Sequence, residues 1–171
     1  MTSMLPGARG RRVRTAAAAG AACFALVALS ACEKPTPVST ITVGSDSVHT
    51  EAACYNEGKK LGQEELNKCL EEGDDVTTID VPRGRDISFG VEPDIAERGW
   101  QVWLGGRPLT AYEETTFQSL PGDELLRYAQ QTSQTGEVPE TLDVAIVEAT
   151  QGTADEQPGY YGVWRFELKT G

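Results

Sequence analysis

Short apolar segments with a period of two run along the second half of the chain. Ile87, Phe89 and Val91 alternate with polar or small residues. Trp100 and Val102 repeat the same spacing. Glycine, proline, aspartate and asparagine separate these segments at short intervals, which is typical of antiparallel strands joined by tight turns. The pattern predicts an all-β domain of about seven to nine short strands.

Two packed antiparallel sheets are the architecture that we expect from this many strands. The predicted fold is an immunoglobulin-like β-sandwich, and a small β-barrel is the alternative. The strand pattern stops between residues 56 and 75, where the segment Gln63–Leu70 favours one or two helical turns in an exposed insert. The stretch Glu124–Gln130 fits either a strand or a short helix.

Residues 1–31 have the organisation of a signal peptide. Arginines precede Thr15–Ala28, a mostly apolar stretch without charge. This stretch is shorter than the roughly 20 apolar residues of a membrane-spanning helix. The next residues, Leu29-Ser30-Ala31-Cys32, resemble the lipobox of bacterial lipoproteins. The resemblance implies cleavage before Cys32 and transfer of a diacylglycerol to its thiol, and two acyl chains hold a protein durably on a membrane.

The remaining chain divides into a spacer and one domain. Residues 32–40 comprise the lipidated Cys32 and a polar, proline-containing stretch that we expect to act as a solvated spacer. Residues 41–171 are long enough for one compact β-sandwich domain. A retained membrane helix, or an ordinary signal peptide with an incidental cysteine at position 32, are the alternatives.

The four cysteines differ in the segment of the chain in which they lie. Cys23 lies in the signal peptide and Cys32 at the lipidation site, which leaves Cys54 and Cys69 as a pair. Paired cysteines in an oxidising compartment usually form disulfides. We therefore expect a Cys54–Cys69 bridge that pins the helical insert. Metal binding is the alternative, but the single histidine of the chain leaves a zinc shell incomplete without carboxylates, so neither a metal nor another cofactor is predicted.

Charge narrows the range of partners. Without the four arginines of residues 1–32, the 15 basic residues fall to 11 against 26 acidic ones, a net charge of −15. Each contact with a phosphate would be made against electrostatic repulsion. The composition therefore disfavours nucleic acid and anionic lipid as direct ligands.

Side chains that could support catalysis are scattered. His49 is the sole histidine and lies within a predicted strand among polar residues, so a histidine-dependent nucleophile is not expected. A hydrolase would need two carboxyl groups about 5 to 10 Å apart, one of them with a raised pKa. The acidic candidates are outward positions or ends of predicted strands: Asp80, Asp86, Glu92 and Asp143. No catalytic residue is predicted.

An aromatic cluster is the remaining candidate for a binding surface. Trp103 and Trp100 have opposite parity on one predicted strand, so Trp103 faces outward if Trp100 lies in the core. Exposed aromatic clusters commonly contact proteins or glycans. A neighbouring loop or the helical insert covering Trp103 is the alternative. The candidate partner-binding residues are Trp103, Arg107, Tyr112, Tyr160 and Tyr161.

Several short motifs match the pattern of a known family. They are the lipobox at Leu29–Cys32, the strand Thr40–Val43, Cys54-Tyr55 with Cys69, Asp80-Val81-Pro82 and Gly84 followed by Asp86-Ile87-Ser88, and Trp100. On these residues the chain resembles a family of actinobacterial lipoproteins catalogued as a domain of unknown function. The resemblance implies an envelope location and a β-sandwich-like domain, and it implies no activity.

These observations predict a lipid-anchored protein on the extracytoplasmic face of the cell membrane. Its expected role is that of a non-enzymatic binding or accessory module, with an envelope protein or a glycan as its partner. An envelope glycan hydrolase that uses a carboxylate pair is one alternative. A purely structural surface protein is the other.

Overall fold

The computed structural model describes residues 36–71, 76–153 and 156–171 and confirms the β-sandwich. The predicted signal peptide, the lipobox and Cys32 lie outside the described residues. The strands are β1 (Val38–Val43), β2 (Asp46–Glu51), β3 (Cys54–Tyr55), β4 (Thr77–Val81), β5 (Asp86–Val91), β6 (Trp100–Leu104), β7 (Arg107–Pro108), β8 (Phe117–Pro121), β9 (Thr141–Thr150) and β10 (Gly159–Thr170). The helices are α1 (Gln63–Glu71), α2 (Pro93–Arg98) and α3 (Gly122–Thr132).

The strands form two open sheets that do not close into a barrel. The four-stranded sheet has the order β2-β1-β5-β8, and every pair in it is antiparallel. The six-stranded sheet has the order β3-β10-β9-β6-β7, with β4 beside β10. The β4–β10 pair is parallel, which the turn pattern did not predict. Parallel strands cannot be joined by a tight turn, and residues 82–158 form the long connection between β4 and β10.

The main core lies between the inner faces of the two sheets. Ile41 and Phe89 of the four-stranded sheet are fully buried there. Trp100, Ile146 and Trp164 of the six-stranded sheet face them and are also fully buried. The alternation predicted for β5 is thereby confirmed, since its apolar positions all join this core.

A second, smaller core lies on the outer face of the six-stranded sheet. Helix α1 covers this face with Leu66 and Cys69, which pack against Val147 and Val163. The Cys54–Cys69 disulfide is confirmed and joins β3 to α1. The predicted helical insert thus forms one layer of the fold rather than an isolated loop.

Two segments that the strand pattern does not assign are helical. Residues 124–130, left open between strand and helix, lie in α3, where Leu125, Leu126 and Ala129 are buried at helical spacing. Residues 93–98 form α2, in which Pro93 begins the helix because the first helical position does not require a backbone N–H donor. Neither these helices nor α1 is long and apolar enough to cross a bilayer, as judged over the described residues.

The domain begins earlier than position 41. Strand β1 starts at Val38, and Pro37 is already buried. The backbone oxygen of Pro37 accepts a 2.7 Å hydrogen bond from Nε1 of Trp164 in β10. Residues 37–40, which the sequence assigned to the spacer, therefore belong to the folded domain, because their backbone is hydrogen-bonded to the rest of it.

Candidate functional site

Three of the five predicted contact residues gather at the end of the sandwich where β9 leads into β10. Tyr160 and Tyr161 are half-buried there, and the register of the β9–β10 pair shifts between Tyr160 and Gly162. Tyr161 occupies this bulge. Such bulges re-aim a side chain relative to the regular ladder.

Tyr112 reaches the same end from the segment between β7 and β8. Its neighbour Glu113 exchanges backbone hydrogen bonds of 2.9 and 3.0 Å with Trp100 at the start of β6. Gly99 lies beside Tyr112, where a Cβ would stand 4.0 Å from Cδ1 of that ring. The pKa of Tyr112 is raised, first by burial and then by the nearby hydroxyl of Tyr160. Burial and the neighbouring phenol thus both disfavour ionisation of Tyr112.

An ion pair lies beside these tyrosines. Arg98, the last residue of α2, donates from Nη1 to Oε1 of Glu148 in β9. The Arg98 side chain is 32% exposed and that of Glu148 is 1% exposed. The guanidinium carbon of Arg98 lies 4.5 Å from the ring centroid of Tyr161. Arg98 is thus held between a buried carboxylate and an aromatic face, a cation–π arrangement.

Burial and the neighbouring charges have opposing effects on the pKa of Glu148. Burial raises the pKa of its carboxyl, Arg98 lowers it through charge and hydrogen bonding, and Asp94 raises it, with a net upward shift. Its Oε2 atom is buried and has no hydrogen-bond partner among the described residues. A Cβ at Gly162 would lie 3.2 Å from that oxygen. Glu148 therefore has no contact with solvent and serves to hold Arg98.

Glycine also allows the chain to approach the other side of the guanidinium. A Cβ at Gly58 would lie 3.2 Å from Nη2 of Arg98, and Gly58 has a φ of +76°. A side chain at this position would be strained and would crowd Arg98. We define the tyrosine–arginine cluster as Arg98, Tyr112, Glu148, Tyr160 and Tyr161. Arg98 and the three tyrosines of this cluster are each partly exposed to solvent.

Trp103 does not belong to an exposed surface. It faces away from the main core, as the parity with Trp100 predicted, but it is only 6% exposed because α1 covers it. Its ring makes an edge-to-face contact with Tyr160 at 5.7 Å. The alternative in which the helical insert covers Trp103 is therefore confirmed, and the assignment of Trp103 as a contact residue is wrong.

Arg107 lies apart from the tyrosines. It pairs with Leu104 at the hairpin end of β6, whereas Tyr112 lies beside Trp100 at the start of that strand. Arg107 is exposed and lines a separate cleft of about 380 Å³ together with Tyr128 and Leu142. The expectation that Arg107 and Tyr112 belong to one surface is wrong, because β6 separates them along its whole length.

Sequence reasoning did not identify Arg98 and Glu148. The two residues are 50 positions apart, so no local motif links them. One signal was present: Glu148 is the lone charged residue in the apolar run Val144–Ala149. A charge within a strand that is buried on both faces requires a partner, and this rule identifies the position although not the partner.

The residues considered for catalysis are dispersed over the surface. His49 is exposed on β2, and the four carboxylates weighed for a hydrolase are exposed as well: Asp80, Asp86, Glu92 and Asp143. A larger cleft of about 730 Å³ lies near α3 and is lined by residues that include Arg83, Leu126 and Arg127. Within the described part of the chain, no group of three or more histidine, cysteine or acidic side chains is arranged to hold a metal ion.

Comparison of the chain with protein-family models, with curated proteins and with solved structures finds no match.

Proposed function

We propose that the protein is a non-enzymatic lipoprotein of the cell envelope, anchored through a diacylglycerol on Cys32 and displayed on the extracytoplasmic face of the membrane. The observation that carries the proposal is the Cys54–Cys69 disulfide. Disulfides persist in oxidising, exported compartments and are rare in the cytosol. The resemblance of Leu29–Cys32 to a lipobox supports the anchor. The proposal includes membership of the actinobacterial lipoprotein family named above.

The tyrosine–arginine cluster is the proposed contact surface for an envelope protein or a glycan. Aromatic faces bury apolar area and tolerate a polar edge, and an arginine that is already oriented loses little entropy on binding. Glu148 and Tyr161 orient Arg98 before any partner arrives. This preorganisation supports a binding role.

Glycan hydrolysis is the second candidate, because one carboxyl has a raised pKa and a second acid, Asp94, acts on it. A general acid must reach the bond that it protonates. Glu148 is 1% exposed and its bonded oxygen faces Arg98, so a substrate would have to displace Arg98 first. We therefore favour binding over hydrolysis.

The mass of the intact protein, extracted from membranes with detergent, tests the anchor. We expect a chain that begins at Cys32, carries a diacylglyceryl group and gains two alkyl labels only after reduction. A matched Cys32→Ser variant should lack the lipid and leave the membrane fraction. An unlipidated wild-type chain would refute the anchor, and labelling without reduction would refute the disulfide.

Complementation of a deletion strain tests the contact surface. Full-length Tyr161→Ala should fail to restore whatever phenotype deletion produces, whereas the matched Arg107→Ala variant should restore it. Equal rescue by both variants, at equal protein levels, would support the structural alternative and refute a contact role for the tyrosine–arginine cluster.

A further inference from the structure

The larger of the two clefts described above combines apolar surface with charges of both signs. It has a volume of about 730 Å³, within the range of pockets that hold small ligands. It lies at the opposite end of the β9–β10 pair from the tyrosine–arginine cluster. We call it the α3 cleft and define it by two arginines, two glutamates and two apolar residues: Arg83, Arg127, Glu137, Glu140, Leu126 and Val138.

Strand β10 separates an arginine from a glutamate in the α3 cleft. Strand β4 ends at Val81 and β9 begins at Thr141, and both pair with the last residues of β10. Arg83 follows Val81 by two positions, and Glu140 directly precedes Thr141. Two strand spacings separate β4 from β9, a distance of about 10 Å. Arg83 and Glu140 therefore lie at the same end of the sheet, on either side of β10.

Helix α3 supplies the second arginine. Asp123 precedes Arg127 by four positions, a spacing at which opposite charges on a helix commonly pair. The carboxylate of Asp123 instead accepts a 3.0 Å hydrogen bond from the backbone N–H of Gly84. The side-chain amide of Gln130, one turn further along, donates to the carbonyl oxygen of Gly136 at 3.0 Å. The neighbours of Arg127 on this stripe thus bond to nearby turns, and its guanidinium is available to a ligand.

The four charged side chains of the α3 cleft are exposed. None of them forms an ion pair with another residue of the part of the chain that the structure describes. Leu126, which is buried, and Val138, which is half-buried, give the same cleft apolar surface. Single exposed charges are ordinary on a protein surface. Here two unpaired charges of each sign line one cleft, so a ligand can meet both signs at once.

Charge selects the kind of ligand. A simple anion would meet the arginines but also the carboxylates of Glu137 and Glu140, and a simple cation would meet both arginines. Like-charge contacts of this kind oppose binding. A ligand with one negative and one positive group avoids both penalties, and an arginine fork matches the geometry of a carboxylate.

We propose that the α3 cleft binds a short peptide with free termini. Its carboxylate lies at the two arginines, its ammonium group lies at the two glutamates, and an apolar side chain packs against Leu126 and Val138. An extended chain of about two or three residues spans about 7 to 11 Å, which matches the separation of the two sides. This site is independent of the lipid anchor and of the tyrosine–arginine cluster.

Isothermal titration calorimetry of the purified full-length protein tests the site. The probe is the tripeptide Ala-Leu-Ala with free termini, and its N-acetylated and C-amidated forms each lack one terminal charge. We expect saturable binding of one free tripeptide per chain. Each modification should weaken the affinity by about tenfold, because it removes a charge-assisted hydrogen bond.

Two double variants assign each terminus to one side of the cleft. Arg83→Met with Arg127→Met should bind the free and the amidated tripeptide equally weakly and stay sensitive to acetylation. Glu137→Gln with Glu140→Gln should stay sensitive to amidation alone. This crossed pattern measures the coupling between each terminal charge and its partners, and general damage to the fold cannot produce it. Arg107→Ala, in the smaller cleft, is the matched control and should bind all three forms as the wild type does.

The possible results separate clearly. Absence of saturable binding by the wild type would overturn the site, and so would equal affinity for the free and the modified tripeptides. A loss of affinity on amidation without any loss on acetylation would show a site for anions and overturn the peptide. Since neither the anchor nor the tyrosine–arginine cluster enters this titration, its failure would leave the proposed function intact.

Discussion

Removing Arg98 tests how the buried ion pair is held. The Arg98→Met variant keeps an apolar stem against Tyr161 and leaves Glu148 buried without its partner. Breaking a buried pair in this way costs about 3 to 5 kcal/mol. Arg98 is 32% exposed, so solvent screens part of the interaction and we expect a smaller loss, about 2 to 3 kcal/mol at neutral pH.

The loss of folding stability in Arg98→Met should depend on pH in a defined direction. The folded-state pKa of Glu148 is raised, so the folded protein binds its proton more readily than the unfolded chain does. The stability from this group is therefore present at low pH and falls as the pH rises through the folded pKa. Without Arg98 that pKa rises further, so Arg98→Met should lose more stability than the wild type as the pH rises above the ordinary pKa of a glutamate.

Urea denaturation of residues 32–171, with Cys32→Ser and an intact disulfide, measures these differences in the free energy of unfolding. The double variant Arg98→Met with Glu148→Gln should recover most of the loss, because no charge then remains buried. Arg127→Met, at an exposed position of α3, is the matched surface control and should change stability by less than about 0.5 kcal/mol. A loss below about 1 kcal/mol in Arg98→Met, with the pH dependence of the wild type, would refute a buried charge held by Arg98.

Two further predictions concern the scaffold around the tyrosine–arginine cluster. Replacing Cys54 and Cys69 by alanine should lower the free energy of unfolding by about 3 kcal/mol, since the bridge closes a loop of 15 residues, and an unchanged urea midpoint would contradict this. Gly162→Ala should lower the thermal midpoint, because the new Cβ would stand 2.6 Å from the Trp164 ring. The matched Gly62→Ala, with nothing within 4 Å, should leave that midpoint unchanged, and equal midpoints for the two variants would show that the close contact relaxes without cost.

The sequence predicted those parts of the fold that depend on local pattern. The spacing of residues predicted the alternation in β5 and the turn at Gly105-Gly106. The pairing of Cys54 with Cys69 followed because the positions of the other two cysteines left one possible pair. The sandwich then follows from the number of strands. The parallel β4–β10 pair did not follow, because strand direction depends on where a long connection crosses the sheet.

The candidate site was only partly predictable, because a local pattern does not show which distant elements meet. Tyr112, Tyr160 and Tyr161 were selected as aromatic residues near turns, and the fold brings them to one end. Arg98 was missed because it ends a helix and its partner lies on a strand 50 positions away. Trp103 was misassigned because α1 folds back over it. Periodicity reports which way a side chain points from its own strand, but not which element covers it.

The hydrogen bond from Trp164 to Pro37 links residues 127 positions apart. In a chain that is synthesised from its N-terminus, β1 is therefore completed by a strand that is made much later. Strand β1 can pair early with β2, but the site that fixes Pro37 exists only once β10 is in place. Such long-range closure is slow to form and leaves apolar edges exposed until it is complete. The order of synthesis thus makes the C-terminal strand the step that completes the fold.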